Sequence, residues 1–148
     1  MAGKYSIHGV DANTDATTII ALKSSTSVWG RIYDLILGSK DTPTDEACTY
    51  QLKRFSADGV ATAVTPQPLD PDDVAASCTA GKVYTSEPTY TANTILLYVS
   101  LNKRATFRWL ARPGAELYLS TTSGEGIGLL CDTPTTAFNE DVCIHFAE

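Results

Sequence analysis

Residues 48–53 read Cys48-Thr49-Tyr50-Gln51-Leu52-Lys53, and this short stretch decides the fold class. Cys48, Tyr50 and Leu52 fall on one side of an extended chain; Thr49, Gln51 and Lys53 fall on the other. A period of two marks a β-strand with one face on a core and one in water, whereas a helix would repeat every 3.6 residues. The pattern returns at 141–146, where Val142, Ile144 and Phe146 oppose Asp141, Cys143 and His145. It returns again at 116–120, where Leu117 and Leu119 share a side. About one residue in seven is Thr, whose β-branched side chain suits a half-exposed sheet.

Two further runs are apolar on both sides, Arg31-Ile-Tyr-Asp-Leu-Ile-Leu37 and Ile95-Leu-Leu-Tyr-Val-Ser-Leu101. Both predict central strands with a second cover, which a neighbouring subunit would supply. Turn signals at Gly38–Asp41, Asp58-Gly59, Thr65–Pro68, Asn102-Lys103, Pro113-Gly114 and Ser123-Gly124 divide the chain into nine or ten short strands. That spacing predicts an all-β protein, an antiparallel β-sandwich or jelly roll. Leu101 to Phe107 reads as a hairpin into a strand that presents Phe107 and Trp109 inward. The one helical signal, Asp70 to Ser77, has a capping Asp70 and Pro71 at the first helical position, enough for one or two turns. The 148 residues suit a single domain. Residues 1–16 are polar and unpatterned and read as a flexible N-terminal arm, leaving 17–148 as one jelly-roll β-domain.

The charge balance weighs against nucleic acid as a partner. Eleven Lys and Arg stand against seventeen Asp and Glu, a net charge of −6, and phosphate binding requires clustered cations. The nearest cluster, Lys103, Arg104, Arg108 and Arg112 around Trp109, reads as solvated sheet and turn charges. There is no run of about 18 apolar residues, so no membrane partner is expected. The segment Met1 to His8 lacks an apolar signal core, which predicts a product that stays in the cytosol where it is made unless the cell lyses, with reduced thiols.

No catalytic, cofactor or metal site follows from the motifs, and the chain reads as a non-enzyme. His8 lies in the arm, His145 on an outward strand face, and the Gly-x-Ser-x-Gly elbow is missing. Cys48, Cys78, Cys131 and Cys143 form no Cys-x-x-Cys pair, which argues against a zinc ribbon. Cys143 and His145 do share a face; with Cys131 on an adjacent strand they would make an incomplete donor set. A Cys131–Cys143 cross-strand disulfide after release is the alternative. Gly124, Gly126 and Gly128 fit a tight turn and close packing rather than a phosphate loop. The acidic stretches Asp41–Glu46 and Asp70–Asp73 lack calcium-loop spacing and read as solvated turns.

Several consecutive segments have a familiar order: Arg31-Ile-Tyr-Asp-Leu-Ile-Leu-Gly-Ser39, Arg54 to Pro71, Glu87-Pro-Thr-Tyr-Thr-Ala-Asn-Thr-Ile-Leu-Leu97, Leu101-Asn-Lys-Arg-Ala-Thr-Phe-Arg-Trp109, Arg112-Pro-Gly-Ala-Glu-Leu117 and Gly126-Ile-Gly-Leu129. Together, over most of residues 28–148, the chain resembles small proteins of tailed bacteriophages, among them capsid decoration (cement) proteins with a jelly-roll fold. The resemblance implies a homotrimer on the outer head surface of the virion, bound to the major capsid protein and stabilising the expanded shell. The acidic charge would then suit attraction to basic patches on the shell. The arm supplies the expected contacts with the capsid or a neighbouring subunit: Lys4, Tyr5, Ile7, His8, Val10, Asp11 and Asp15. The alternative function is a receptor- or carbohydrate-binding module of a phage tail or fibre, with Tyr84, Tyr90 and Tyr118 as its platform. A hydrolase on a β-scaffold is the third class.

Overall fold

Alternating sequence becomes strand throughout the computed structural model, which describes residues 3–13, 17–132 and 136–148. Twelve strands occur among the described residues: β1 (Lys4–Asn13), β2 (Thr18–Lys23), β3 (Arg31–Lys40), β4 (Ala47–Ala57), β5 (Val60–Val64), β6 (Gln67–Pro68), β7 (Thr79–Ser86), β8 (Thr89–Asn102), β9 (Phe107–Leu110), β10 (Leu117–Tyr118), β11 (Gly126–Cys131) and β12 (Phe138–Ala147). Sheet A runs β10-β3-β12-β1-β6, with β9 also paired to β3. Sheet B runs β5-β7-β2-β11-β4-β8. All pairings are antiparallel.

Four ladders are nested: β1 with β12, β2 with β11, β3 with β9, and β4 with β8. The chain is therefore one long hairpin of paired strands, rolled up so that successive pairs alternate between the sheets. This is the wiring of a jelly roll. Strands β5 to β7 form an excursion that extends sheet B beside β2 and returns briefly to sheet A beside β1.

The inward faces match the alternation. Cys48, Tyr50 and Leu52 of β4 meet Val142, Ile144 and Phe146 of β12 in one core, with Ile20, Leu22, Leu35, Leu37, Ile127 and Leu129. Each such side chain, fully buried, contributes about 1.5–3 kcal/mol. Gly126 and Gly128 allow the sheet its close contacts. A Cβ at Gly126 would fall 2.4 Å from the Phe55 ring, and one at Gly128 would fall 2.2 Å from the Tyr90 hydroxyl.

Three expectations need correction. Residues 4–13 are not a loose arm: β1 pairs with β12 along all ten of its residues, and Tyr5 and Ile7 are buried in the core. The alternation is clear only over Lys4 to His8; beyond it a glycine, Gly9, takes the buried position and an apolar residue, Val10, the exposed one, which hides the two-residue period. The jelly roll therefore begins at residue 4 rather than 17. Residues 101–107 are not a hairpin either, because β8 belongs to sheet B and β9 to sheet A, so the chain crosses between the layers there. Phe107 and Trp109 nevertheless point inward and pack against the core. Asp70 to Ser77 forms a turn closed by Asp73 N–H to the Asp70 carbonyl, and no helix occurs among the described residues.

Candidate functional site

The jelly-roll roll-up leaves β8 and β9 at the same rim of the sandwich, each the outer neighbour of a paired strand. β8 is the longest strand at 14 residues and pairs with β4 alone. Its inward residues Leu97, Val99 and Leu101 are only half-buried, as are Phe107 and Trp109 of β9. Its outward residues Ile95 and Tyr98 are 45% and 59% exposed, and Leu110 of β9 is 61% exposed. The expectation of a central strand at 95–101 is thus corrected: β8 is the edge strand of sheet B, and its apolar residues are incompletely covered among the described residues. The other double-sided run, 31–37, does form a central strand: β3 lies between β12 and β9/β10, with Tyr33 and Ile36 half-buried on its outer face.

A charged crossover anchors this rim. Lys103, in the β8–β9 connection, is 1% exposed. Its ammonium donates to Glu46 Oε2 at 2.7 Å and to the Thr136 carbonyl at 2.7 Å, and it sits 4.7 Å from the centre of the Phe138 ring. A buried ammonium requires such partners, because desolvation without them costs several kcal/mol. The reading of Lys103 as a solvated turn charge is therefore corrected; its crossover folds it beneath the Glu46 and Thr136 segments. Arg104, next to it, remains exposed and donates to the Pro43 carbonyl at 3.0 Å.

The outer face of sheet A carries a second charged arrangement. Asp34 on β3 is buried, and Arg108 on β9 grips its carboxylate with two bonds of 3.0 and 2.7 Å. His145 on β12 lies 3.0 Å from the same carboxylate through Nδ1. The Arg108 hydrogen bonds outweigh the opposing effect of burial and, with His145, hold Asp34 below the usual carboxylate range. Cys143, two residues along β12, places its sulfur 3.7 Å from His145 Nε2. His145 does face outward as its alternation predicts, but as part of a bonded chain. Asp34 escaped sequence reasoning because it stands inside an apolar run; the signal was a lone carboxylate at an outward position of a central strand.

The cysteines divide by sheet. Cys48 of β4 and Cys131 of β11 form a disulfide between adjacent strands of sheet B. A Cys131–Cys143 bond is excluded in this fold, since Cys143 lies on sheet A, and the same separation removes Cys131 from any donor set with Cys143 and His145. The expectation of four reduced thiols is corrected with it; Cys78 and Cys143 are the free cysteines. Burial and the Glu148 carboxylate push the Cys78 thiol up to about 12. Cys48, Cys131 and Glu140 bring their sulfur and carboxylate atoms within 4.8 Å of one another. While the sulfurs are bonded to each other they offer no thiolate, so the trio is not a zinc centre in this form. The Tyr50 phenol interacts with Glu140, and burial is the main cause that pushes its pKa up.

The expected arm contacts scatter. Tyr5 and Ile7 are committed to the core, Tyr5 stacking on Phe146 at 5.3 Å and donating to the Val74 carbonyl. Lys4, His8 and Val10 lie on the exposed outer face of sheet A, and Asp11 is half-buried. Asp15 lies outside the described residues. The three tyrosines form no common platform. Tyr90 bonds Thr18 at 2.7 Å and packs edge-on against Phe55, and Tyr84 donates to Asp58. Tyr118 instead meets Trp29, which is 66% exposed, edge-to-face at 6.3 Å. Comparisons with protein-family models, with curated proteins and with solved structures find no match to this chain.

Proposed function

We propose that this chain is a structural component of a phage particle, a capsid decoration protein that assembles as a homotrimer and binds the outer surface of the head. One observation carries the reading: the half-covered apolar rim formed by β8 and β9. A long edge strand with apolar residues on both faces invites pairing with another chain. A closed three-fold ring would cover that rim on every copy without leaving a free end to propagate. The order of segments 31–39, 54–71, 87–97, 101–109, 112–117 and 126–129 adds the family resemblance, and the acidic charge suits a partner with basic patches. A trimer touching several shell subunits would also gain affinity by raising effective concentration at each contact.

Sedimentation of the purified protein tests the assembly. A trimer is expected, and the pair Ile95→Lys with Tyr98→Lys should shift it toward monomer while melting changes little, since both side chains are exposed. A monomer at tens of micromolar overturns the trimer. Electron cryo-microscopy of the particle that carries the chain tests the location; density in the tail, or none, overturns decoration. The exposed Trp29–Tyr118 pair favours a second reading, a carbohydrate-binding module, because an aromatic face stacks on sugar rings. A glycan array positive for the native protein and lost in Trp29→Ala would reverse the order.

A further inference from the structure

We propose that Cys143 is a nucleophilic thiol served by His145 as general base, and that it accepts small apolar acyl groups from thioesters or activated esters. The proposal goes beyond the assembly reading and does not depend on it. Alternation on β12 sets Cys143 and His145 on one outward face, two residues apart. The register then sets Asp34 directly opposite His145. The result is a chain of three groups: sulfur to Nε2 at 3.7 Å, Nδ1 to carboxylate at 3.0 Å, and carboxylate to the Arg108 fork. A nucleophile within reach of a base, with a third group orienting the base, is the arrangement that activates a weak nucleophile.

The roles follow from the bonding. An ionised carboxylate accepts only, so Asp34 takes the Nδ1–H of His145, and in the neutral imidazole Nε2 is then the acceptor that faces the sulfur. The Tyr33 ring stacks beside the imidazole at 6.2 Å and 24°, which restricts its rotation. Burial first, and the Asp34 charge second, raise the Cys143 thiol above its ordinary value. The resting thiol is therefore held in its neutral form, and it needs a base at the moment of attack. The charged and titratable groups around the pair are Asp34 and Tyr33 from β3, Arg108 from β9, Asp141 from β12, and His8 of β1, which stands in register with Cys143.

An open groove of about 380 Å³ reaches the sulfur, with Gly9, Ile36, Gly38, Thr106 and Val142 among its walls. Its mainly apolar lining suits a short acyl chain. In the reaction the thiol proton passes to Nε2 and the sulfur forms a bond to the acyl carbon. The bond from that carbon to the leaving oxygen or sulfur then breaks. The leaving group takes the proton back from His145, and Cys143 is left as a thioester. β12 is paired on both sides, with β1 and with β3, so its amides serve the ladders. β12 therefore supplies a nucleophile and a base but no pair of amides preset for an oxyanion, which favours substrates with good leaving groups.

The native, disulfide-bonded protein is treated with p-nitrophenyl butyrate, following nitrophenolate release and intact mass. One butyryl group per chain is expected, on Cys143, and absent from Cys143→Ser. His145→Gln is expected to slow acylation near neutrality about a hundred-fold, the usual scale of general-base help, and to move the rising limb of the pH–rate profile up to the pKa of the unassisted thiol. His145→Ala is the second variant, with circular dichroism to confirm folding of each. Wild-type rates and pH dependence in a folded His145 variant would show an unassisted surface thiol and overturn the proposal; so would butyryl groups on lysines or Cys78 instead.

Discussion

The molecule holds its charges and sulfurs in two different ways, and the contrast between them separates scaffold from surface chemistry. In the interior, Cys48–Cys131 ties β4 to β11 within sheet B, and Lys103 is sealed under Glu46 and Thr136 where the β8–β9 crossover passes between the sheets. Both are closed to water. On the outer face of sheet A, Asp34, Arg108, His145 and Cys143 form a chain that starts at a buried carboxylate and ends at a partly exposed thiol beside a groove. The same residue types give clamps in one place and a titratable relay in the other. The difference is access: a sealed group can only stabilise, whereas a group that reaches solvent can also exchange protons or react.

If the first set are clamps, removing them should cost stability and nothing else. The double variant Cys48→Ser, Cys131→Ser should lose the most, about 4 kcal/mol by denaturant melting, because the bond closes a loop of 83 residues in the unfolded chain. A loss below about 1 kcal/mol would show that the unfolded chain is already restricted there. Lys103→Met should follow with about 3 kcal/mol, since Glu46 and the Thr136 carbonyl lose a buried ammonium. Neither change should alter Cys143 acylation.

The relay should behave differently, with smaller stability effects that depend on pH. Asp34→Asn should cost about 2 kcal/mol near neutrality, the scale of hydrogen bonds to a charged group. Because folding lowers the Asp34 pKa, its contribution is complete above the unfolded carboxylate value, about 3.9. It is lost as pH falls through the folded value. The gap between wild type and Asp34→Asn should therefore close below about pH 4; a gap that persists in acid breaks the assignment. His145→Gln should be the mildest, under about 1 kcal/mol, yet it should change thiol reactivity most. That inversion, with the smallest stability effect and the largest chemical one, is the sharpest test of the contrast.

Much of the relay and the rim was already present in one dimension. The outward placement of Cys143 and His145 follows from alternation in 141–146, and the demand of 95–101 for a second cover follows from apolar residues at both parities. What pattern alone missed were the partners. Asp34 stands 111 positions from His145 and 74 from Arg108, and no local period links them. Lys103 reads as a turn residue because burial of an ammonium depends on Glu46 and Thr136, which only the crossover brings to it. β1 differs from an arm for a related reason: the burial of its inward residues Tyr5 and Ile7 depends on pairing with β12 at the far end of the chain.

The sequence by itself determined the β class, the faces of the main strands and the inward direction of Phe107 and Trp109, because side-chain alternation is a local consequence of extended backbone. Tertiary structure alone decided which strand lies beside which. It thereby chose Cys48 rather than Cys143 as the partner of Cys131, placed β8 at a rim and β3 within a sheet, and aligned Asp34 with His145. Those outcomes depend on ladders between residues far apart in the chain, and their register is set by how the whole hairpin rolls around one core.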